Sequence, residues 1–110
     1  MPHNSRPVYE VKANLFRVLG HPARVRILEV LRDGDQSVGA LQTELGLDSS
    51  GTSQHLAALR RIGLVQSRRE GTSVYYSVGD ERVFDLLSAG RDIISRQIAE
   101  QQSILLDLAQ

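Results

Sequence analysis

The chain of 110 residues has no cysteine, which excludes disulfides, thiolate metal sites and cysteine redox sensing. It has no excess of either charge, with 13 basic residues against 13 acidic ones, so net charge argues for no polyanionic partner. No apolar run approaches the roughly 20 residues that cross a bilayer, and the opening MPHNSRPVYE lacks the basic and apolar regions of a signal peptide. A cytoplasmic protein with no membrane partner is expected. A nucleophile and base at a recognisable spacing and a phosphate-cradling glycine loop are also missing. Ser53 and His55 are neighbours in number but point in different directions on a helix, so no enzyme activity and no cofactor are expected. The length predicts one domain.

What is present centres on Asp48 to Val65, DSSGTSQHLAALRRIGLV. Asp48 or Ser49 can accept hydrogen bonds from the free N–H groups of a first helical turn, and Gly63 supplies the left-handed residue that commonly ends a helix. At about 100° per residue, Thr52, Leu56, Leu59 and Gly63 fall on one side, and Ser50, Gln54, Ala57 and Arg61 on the other. The packed side is apolar and the free side small and polar. An ordinary solvated face carries more Lys and Glu. A face of Ser, Gln, His, Ala and Arg suits the DNA major groove, where Gln can pair with adenine and Ser with either kind of base edge, while Arg holds phosphate. A plain amphipathic helix is the alternative at this point. Charge distribution adds a little, because Ser49 to Tyr76 contains Arg60, Arg61, Arg68 and Arg69 opposed only by Glu70.

Met1 to Pro7 reads as a flexible arm preceding a single domain over 8–110. Val8, Val11, Leu15, Val18 and Leu19 have helical spacing. Gly20 ends that helix, and Pro22 suits the first turn of the next, Pro22 to Arg32, with Val25, Ile27, Leu28 and Leu31 available for burial. His21, between them, is better placed for a backbone hydrogen bond than for metal. Asp33-Gly34-Asp35 is a turn. Ser37 caps a short helix to Leu45 that turns Ala40, Leu41 and Leu45 inward. Gly46-Leu47 connects it tightly to the central helix, which is the helix-turn-helix arrangement. Leu64 to Arg69 and Ser73 to Val78 read as strands joined at Glu70-Gly71-Thr72, with Arg68 and Arg69 leading to the tip. The predicted fold class is mainly α with a small β-hairpin, a winged helix-turn-helix. The last segment, capped by Asp80 and running to Leu108, would span about 43 Å against a radius of gyration of about 13 Å for a compact domain of this length. One protomer cannot cover such a helix, so a homodimer through the first and last helices is expected, with Leu15, Val83, Leu87, Ile94, Ile98 and Leu105 at the interface.

LGHPARVRILEVL, SVGALQTELGLDSSGTSQHLAALRRIGLV and REGTSVYYSV together resemble the arsenic-repressor type (ArsR/SmtB) family of bacterial transcription regulators. The carrying residues are His21-Pro22 and Arg24, then Ser53, His55, Leu56 and Leu59, then Gly63-Leu64-Val65, and Gly71 with Tyr75-Tyr76. The resemblance implies a homodimer that binds a partly palindromic operator in double-stranded DNA and often releases it on binding a metal. By family position Ser50, Ser53 and Gln54 face the DNA bases, Arg61, Arg69 and Thr72 face the backbone, and Ser49 belongs to the same DNA-binding set. His55, between the two faces, is placed to bond either a phosphate or a neighbouring helix. Gln54 departs from the Arg of many relatives, which puts the operator sequence in doubt. Gly51 in the first turn is a second departure, costing up to about 1 kcal/mol relative to Ala.

The family's metal sites do not carry over. One uses a Cys-x-Cys pair where this chain has Ser37 and Gly39; the other, shared between the last helices of two protomers, falls on Asp80, Arg82, Ile93 and Arg96. Guanidinium and aliphatic groups cannot ligate a borderline divalent metal. Asp80 of one protomer and Arg96 of the other instead suggest an interprotomer ion pair. Three readings follow: an operator-binding dimer whose signal comes from a second sensor protein, an unrecognised ligand or its own abundance; a nickel, cobalt or zinc regulator using His3, His21 and nearby carboxylates; and a winged-helix module that binds protein alone.

Overall fold

A computed structural model describes residues 6–110. His3 and most of the expected arm lie outside the described residues. Eight elements follow one another: α1 (Val8–Leu19), α2 (Pro22–Arg32), β1 (Gln36–Ser37), α3 (Val38–Leu45), α4 (Ser49–Arg61), β2 (Val65–Glu70), β3 (Ser73–Val78) and α5 (Val83–Leu108). They fall into two units, one ending at Asp80 and the other running from Glu81 to Gln110.

In the first unit α2, α3 and α4 meet around Ile27, Leu28, Leu31, Leu41, Leu56 and Leu59, all buried. These residues recur at the three- and four-residue spacings that put them on one stripe of each helix. Leu64 and Val65 extend the core into the sheet. Thr52 is the one buried polar residue among them, and its hydroxyl donates to the Asp48 carbonyl at 2.9 Å, which removes most of the cost of burying it. Ala40, expected inward, is exposed. It sits off the stripe formed by Val38, Leu41 and Leu45, and only Leu41 of these is fully covered.

The helix ends explain where the other elements start. Gly63 is left-handed (φ +79°), with its N–H on Arg60 O and the Leu64 N–H on Leu59 O, both at 3.0 Å. This closes the orphan carbonyls of α4. Leu64 is thereby part of the helix terminus, and β2 begins one residue later than its apolar run suggests; Gly63 itself lies beyond the helix and is exposed. Gly46 (φ +65°) and Leu47 end α3 in the same way, the Leu47 N–H reaching Gln42 O at 3.2 Å.

The sheet is antiparallel in the order β1-β3-β2, with Val65 opposite Val78 and Glu70 opposite Ser73. Gly71 (φ +61°) opens the two-residue turn, a position that favours glycine in the primed turns matching strand twist. β1 went unforeseen because two polar residues carry no period. It exists because β3 has an open edge there: Gln36 pairs with Tyr76 and Ser37 with Tyr75.

The second unit is dominated by α5. Its start is Val83, three residues after the expected cap, and Arg82 holds the cap position with no side-chain cap bond. The chain enters through tight i to i+3 bonds, Phe84 N–H to Glu81 O at 3.1 Å and Asp85 N–H to Arg82 O at 3.0 Å, so two of the first orphan amides are met by backbone carbonyls. From Arg91 onward every residue is exposed, including Ile94 (56%), Ile98 (48%) and Leu105 (65%).

Gly79 closes the hairpin against the end of α4, its N–H on Leu64 O at 2.9 Å. A Cβ there would collide with the Gly63 carbonyl oxygen and press on Gln66 Cγ at 3.3 Å. Gly79→Ala should therefore destabilise the protein by about 1–3 kcal/mol, as overpacking does, whereas Gly39→Ala, with only Ser37 Oγ at 4.0 Å, should not; urea unfolding of the two variants distinguishes them.

Candidate nucleic-acid interface

Asp48 starts α4. Its Oδ1 accepts the Gly51 N–H at 2.7 Å, a charge-assisted cap at the positive end of the helix. Gly51 has a reason to be glycine, because a Cβ would stand 3.0 Å from that same Oδ1. The two faces separate as the helical spacing predicts. Thr52, Leu56 and Leu59 are buried, while Ser49, Ser50, Ser53, Gln54, Ala57 and Arg61 are exposed. The helix is thus gripped from one side and offers on the other a row of small polar groups ending in a cation.

His55, at the boundary, is half-buried and engaged with α2. Its Nδ1 accepts from Arg24 Nε at 3.1 Å, and the same guanidinium donates through Nη1 to Val18 O at 3.2 Å. The His21 ring lies 4.3 Å away between centroids, tilted by 48°. His21 caps α2, its Nδ1 accepting from Ala23 N–H at 3.1 Å. This backbone contact is the role its position suggested. Burial, then the charges of His21 and Arg24, hold the His55 pKa below its ordinary value. The neutral ring that accepts at Nδ1 carries its proton on Nε2. His55 and Arg24 therefore buttress the base of α4, and Nε2–H is the one donor His55 has left.

In the wing, Arg69 and Thr72 are exposed at and beside the tip. Arg68 differs from what its position in the sequence suggests. It forms ion pairs with Asp35 and with Glu70, the latter at 3.1 Å, and its guanidinium lies 5.2 Å from the Tyr75 ring centroid. The two carboxylates hold its proton more firmly than usual. Asp35 lies 33 residues earlier, so the local basic excess is smaller in space than along the chain. Arg68 ties the wing to the turn before β1, and Arg69 is left as the wing cation without a carboxylate partner among the described residues. No signal short of the fold itself pairs Arg68 with Asp35 or Arg24 with His55.

The remaining expected site residues are distributed as follows. Leu15 and Leu87 are half-buried; Ile94, Ile98 and Leu105 are exposed; Val83 is 1% exposed and offers no surface to a partner. Asp80 is half-buried, and Arg96 Nε lies 3.6 Å from Glu100 Oε1 one turn along α5. Among the described residues no three His, Asp or Glu side chains cluster as a metal site would require, and no helix is long and apolar enough to cross a membrane.

The His55 geometry fixes a sign. Protonation must break the Arg24 bond and place a charge on a half-buried ring beside the Arg24 guanidinium, so the folded state binds this proton more weakly than the unfolded one. The stabilisation is complete above the unfolded pKa of about 6.5 and is lost as pH falls through the lower folded pKa. The stability difference between the protein and His55→Gln, followed by urea unfolding from pH 8 to pH 5, should shrink toward the acid end; a difference that is constant or grows would contradict this.

Comparison with known proteins agrees with this geometry. Residues 21–67 match the model of the family described as bacterial regulatory protein, arsR family. A curated relative, the uncharacterised HTH-type transcriptional regulator Rv0081 of Mycobacterium tuberculosis, is 43% identical over 105 residues, covering 94% of this chain and 92% of the relative. Its crystal structure superposes with a TM-score of 0.81 over 88% of this chain and 98% of that one. NolR from Sinorhizobium fredii superposes at 0.73 with 34% identity, over 84% and 96% of the two chains. A homodimeric winged helix-turn-helix DNA-binding domain from Mycobacterium bovis, solved in solution, superposes at 0.71 with 30% identity, over 91% and 95%. The chain belongs to the arsR family of bacterial transcription regulators and has their winged helix-turn-helix DNA-binding fold.

Proposed function

We propose that the protein is a homodimeric, sequence-specific regulator that binds a partly palindromic operator. The observation that carries this is the two-sided α4: one face fully buried, the other an exposed row of Ser50, Ser53, Gln54 and Arg61 with no bulky group to keep it out of a groove. Ser49, Ser50, Ser53 and Gln54 face the bases. Arg61, Arg69 and Thr72 hold the backbone, which positions the helix without reading sequence. His55 acts chiefly through Arg24, by fixing the angle at which α4 leaves the core.

Self-association uses the apolar row of α5, in which Ile94, Ile98 and Leu105 lie exposed, together with α1, where Val8, Val11 and Phe16 are exposed beside Leu15. The solution structure from Mycobacterium bovis is described as homodimeric, which supports the same assembly here. Asp80 of one protomer and Arg96 of the other then stand where metal-sensing relatives place ligands, with Glu100 competing for Arg96.

The controlling signal reaches the dimer by another route than the two common metal sites, through a second sensor protein or a ligand. Ser37, at the first of the two cysteine positions, is committed to the fold: its Oγ accepts the Ala40 N–H at 3.1 Å and its backbone pairs with Tyr75.

Duplex DNA from upstream of the gene should bind tightly, with affinity falling steeply between two salt concentrations as counterions are released. Added nickel, cobalt or zinc should leave it bound. Gln54→Ala should cost about 1–3 kcal/mol and relax base preference at one position, while Arg69→Gln should weaken all duplexes alike and lower the salt slope by about 1. Salt-insensitive, weak binding would favour a protein-binding module, and metal-driven release would restore a metal sensor. Separately, Ile98→Asp should convert the dimer to a folded monomer by sedimentation, because the side chain is exposed in the single chain; an unchanged mass would remove α5 from the interface.

A further inference from the structure

A cleft of about 320 Å³ opens where α1, α2 and α4 meet. Arg17, Arg24 and Arg61 line it with Asn14, over a floor of Val18, Ala58 and Ile62. No acidic residue lines it. The contrast with the rest of the chain is informative: Arg26 pairs with Glu29 and Glu44, Arg68 with Asp35 and Glu70, and Arg96 with Glu100. In the cleft the partners are neutral. Arg17 Nη2 donates to Asn14 Oδ1 at 2.5 Å, Arg24 donates to the Val18 carbonyl and to His55 Nδ1, and Arg61 has no partner among the described residues.

Three guanidinium groups thus share one recess with nothing to balance them, and the middle one is half-buried. Arg24 is also held in place: its Nε and Nη1 are used inside the protein, which orients the planar group and leaves Nη2 without a hydrogen bond among the described residues. Partly removed from water over an apolar floor, such charges attract an anion more strongly than they would on an open surface. Fork-shaped donors select planar or tetrahedral oxyanions with several oxygens.

We propose that this cleft is a binding site for a phosphate-type oxyanion, with Arg17, Arg24 and Arg61 as its donors and Asn14 orienting Arg17. Its volume is at the lower end for small-molecule sites, enough for a phosphate with a small organic body, or for a single phosphate of a nucleic-acid backbone. The site is wired to the recognition helix at two points. Arg24 holds His55 of α4, and Arg61 belongs to α4 itself, so occupancy and the setting of α4 are linked, and the linkage runs equally in both directions.

The competing account places Arg17 and Arg61 at the ends of α1 and α4 simply to face the negative helix termini; it predicts no saturable site. The probe is inorganic phosphate, titrated into the full chain at constant ionic strength against chloride, with arginine Nε–H signals read by 15N-edited NMR. Saturable shifts are expected at Arg17, Arg24 and Arg61, with Arg26 and Arg68 unmoved. Arg17→Gln, an exposed side chain whose one hydrogen bond is to Asn14, should keep the amide spectrum of the folded protein and weaken phosphate roughly tenfold, the loss of one charge-assisted pair. Shifts that rise without saturating, that appear equally at Arg26 and Arg68, or that survive Arg17→Gln unchanged would overturn the site. Adding saturating duplex to the phosphate complex separates the two sources: complete displacement of phosphate, with no ternary complex, assigns the site to the DNA backbone, and phosphate retained in a ternary complex assigns it to a free phosphorylated ligand. Both assignments depend on the saturable site, which is measured before any DNA is present, so the proposal stands or falls independently of operator binding.

Discussion

The fold depends on holding a helix by one side. α4 must be rigid enough to present a fixed row of side chains and bare enough on that row to meet a partner, so all of its fixation has to come from the opposite face and the two ends. Thr52, Leu56 and Leu59 supply the first by burial, Asp48 caps the start, and Gly63 with Leu64 closes the finish. Each of the other elements in that unit is placed by this requirement. α2 and α3 furnish the apolar surface, β2 continues directly from the helix terminus, and the His55–Arg24–Val18 chain fixes α4 at the edge of the core, where packing alone would let it roll.

Arginine carries two different jobs in this protein, and the partners tell them apart. Arg26 and Arg68 are struts between segments, bound to carboxylates and spent on geometry. Exposed pairs of this kind contribute little stability, but they restrict where α3 and the wing can sit. Arg61 and Arg69 have no carboxylate partner among the described residues and remain available to phosphate. A neutral total charge is compatible with a nucleic-acid partner for this reason: Glu29, Glu44, Asp35 and Glu70 are placed against the struts, and cations without an acidic partner among the described residues remain on α4, in the cleft behind it and at the wing.

Local physics made much of this readable from the residues. Both faces of α4 followed from a spacing of about 100° per residue, the Asp48 cap from side-chain chemistry, and the hairpin from its alternation and Gly71. What was not readable depended on distance. β1 is defined by the edge of β3, so two polar residues gave no hint of it. Asp80 has the chemistry of a cap, yet the chain turns through Glu81 and Arg82 first and closes α5 with backbone bonds. Leu64 belongs to an apolar run but is used to terminate a helix. The Arg24–His55 and Arg68–Asp35 contacts span 31 and 33 residues, and only the assembled fold brings those groups together. Gly51 looked like a cost in the first turn; next to Asp48 Oδ1 it is the residue that leaves the cap undisturbed.

Position 37 shows how a binding function and a fold can compete for one residue. A thiolate at this point would have to turn toward a metal, whereas Ser37 turns its oxygen back onto the Ala40 amide and lends its backbone to the sheet. The serine satisfies one of the orphan donors of α3 and at the same time covers the open edge of β3, so the loop before α3 is anchored without any ion. In a chain with no cysteine this anchoring has to be built from hydrogen bonds. Held that way, the loop leaves two surfaces uncommitted on which the control proposed above can act: the cationic cleft behind α4 and the exposed apolar length of α5.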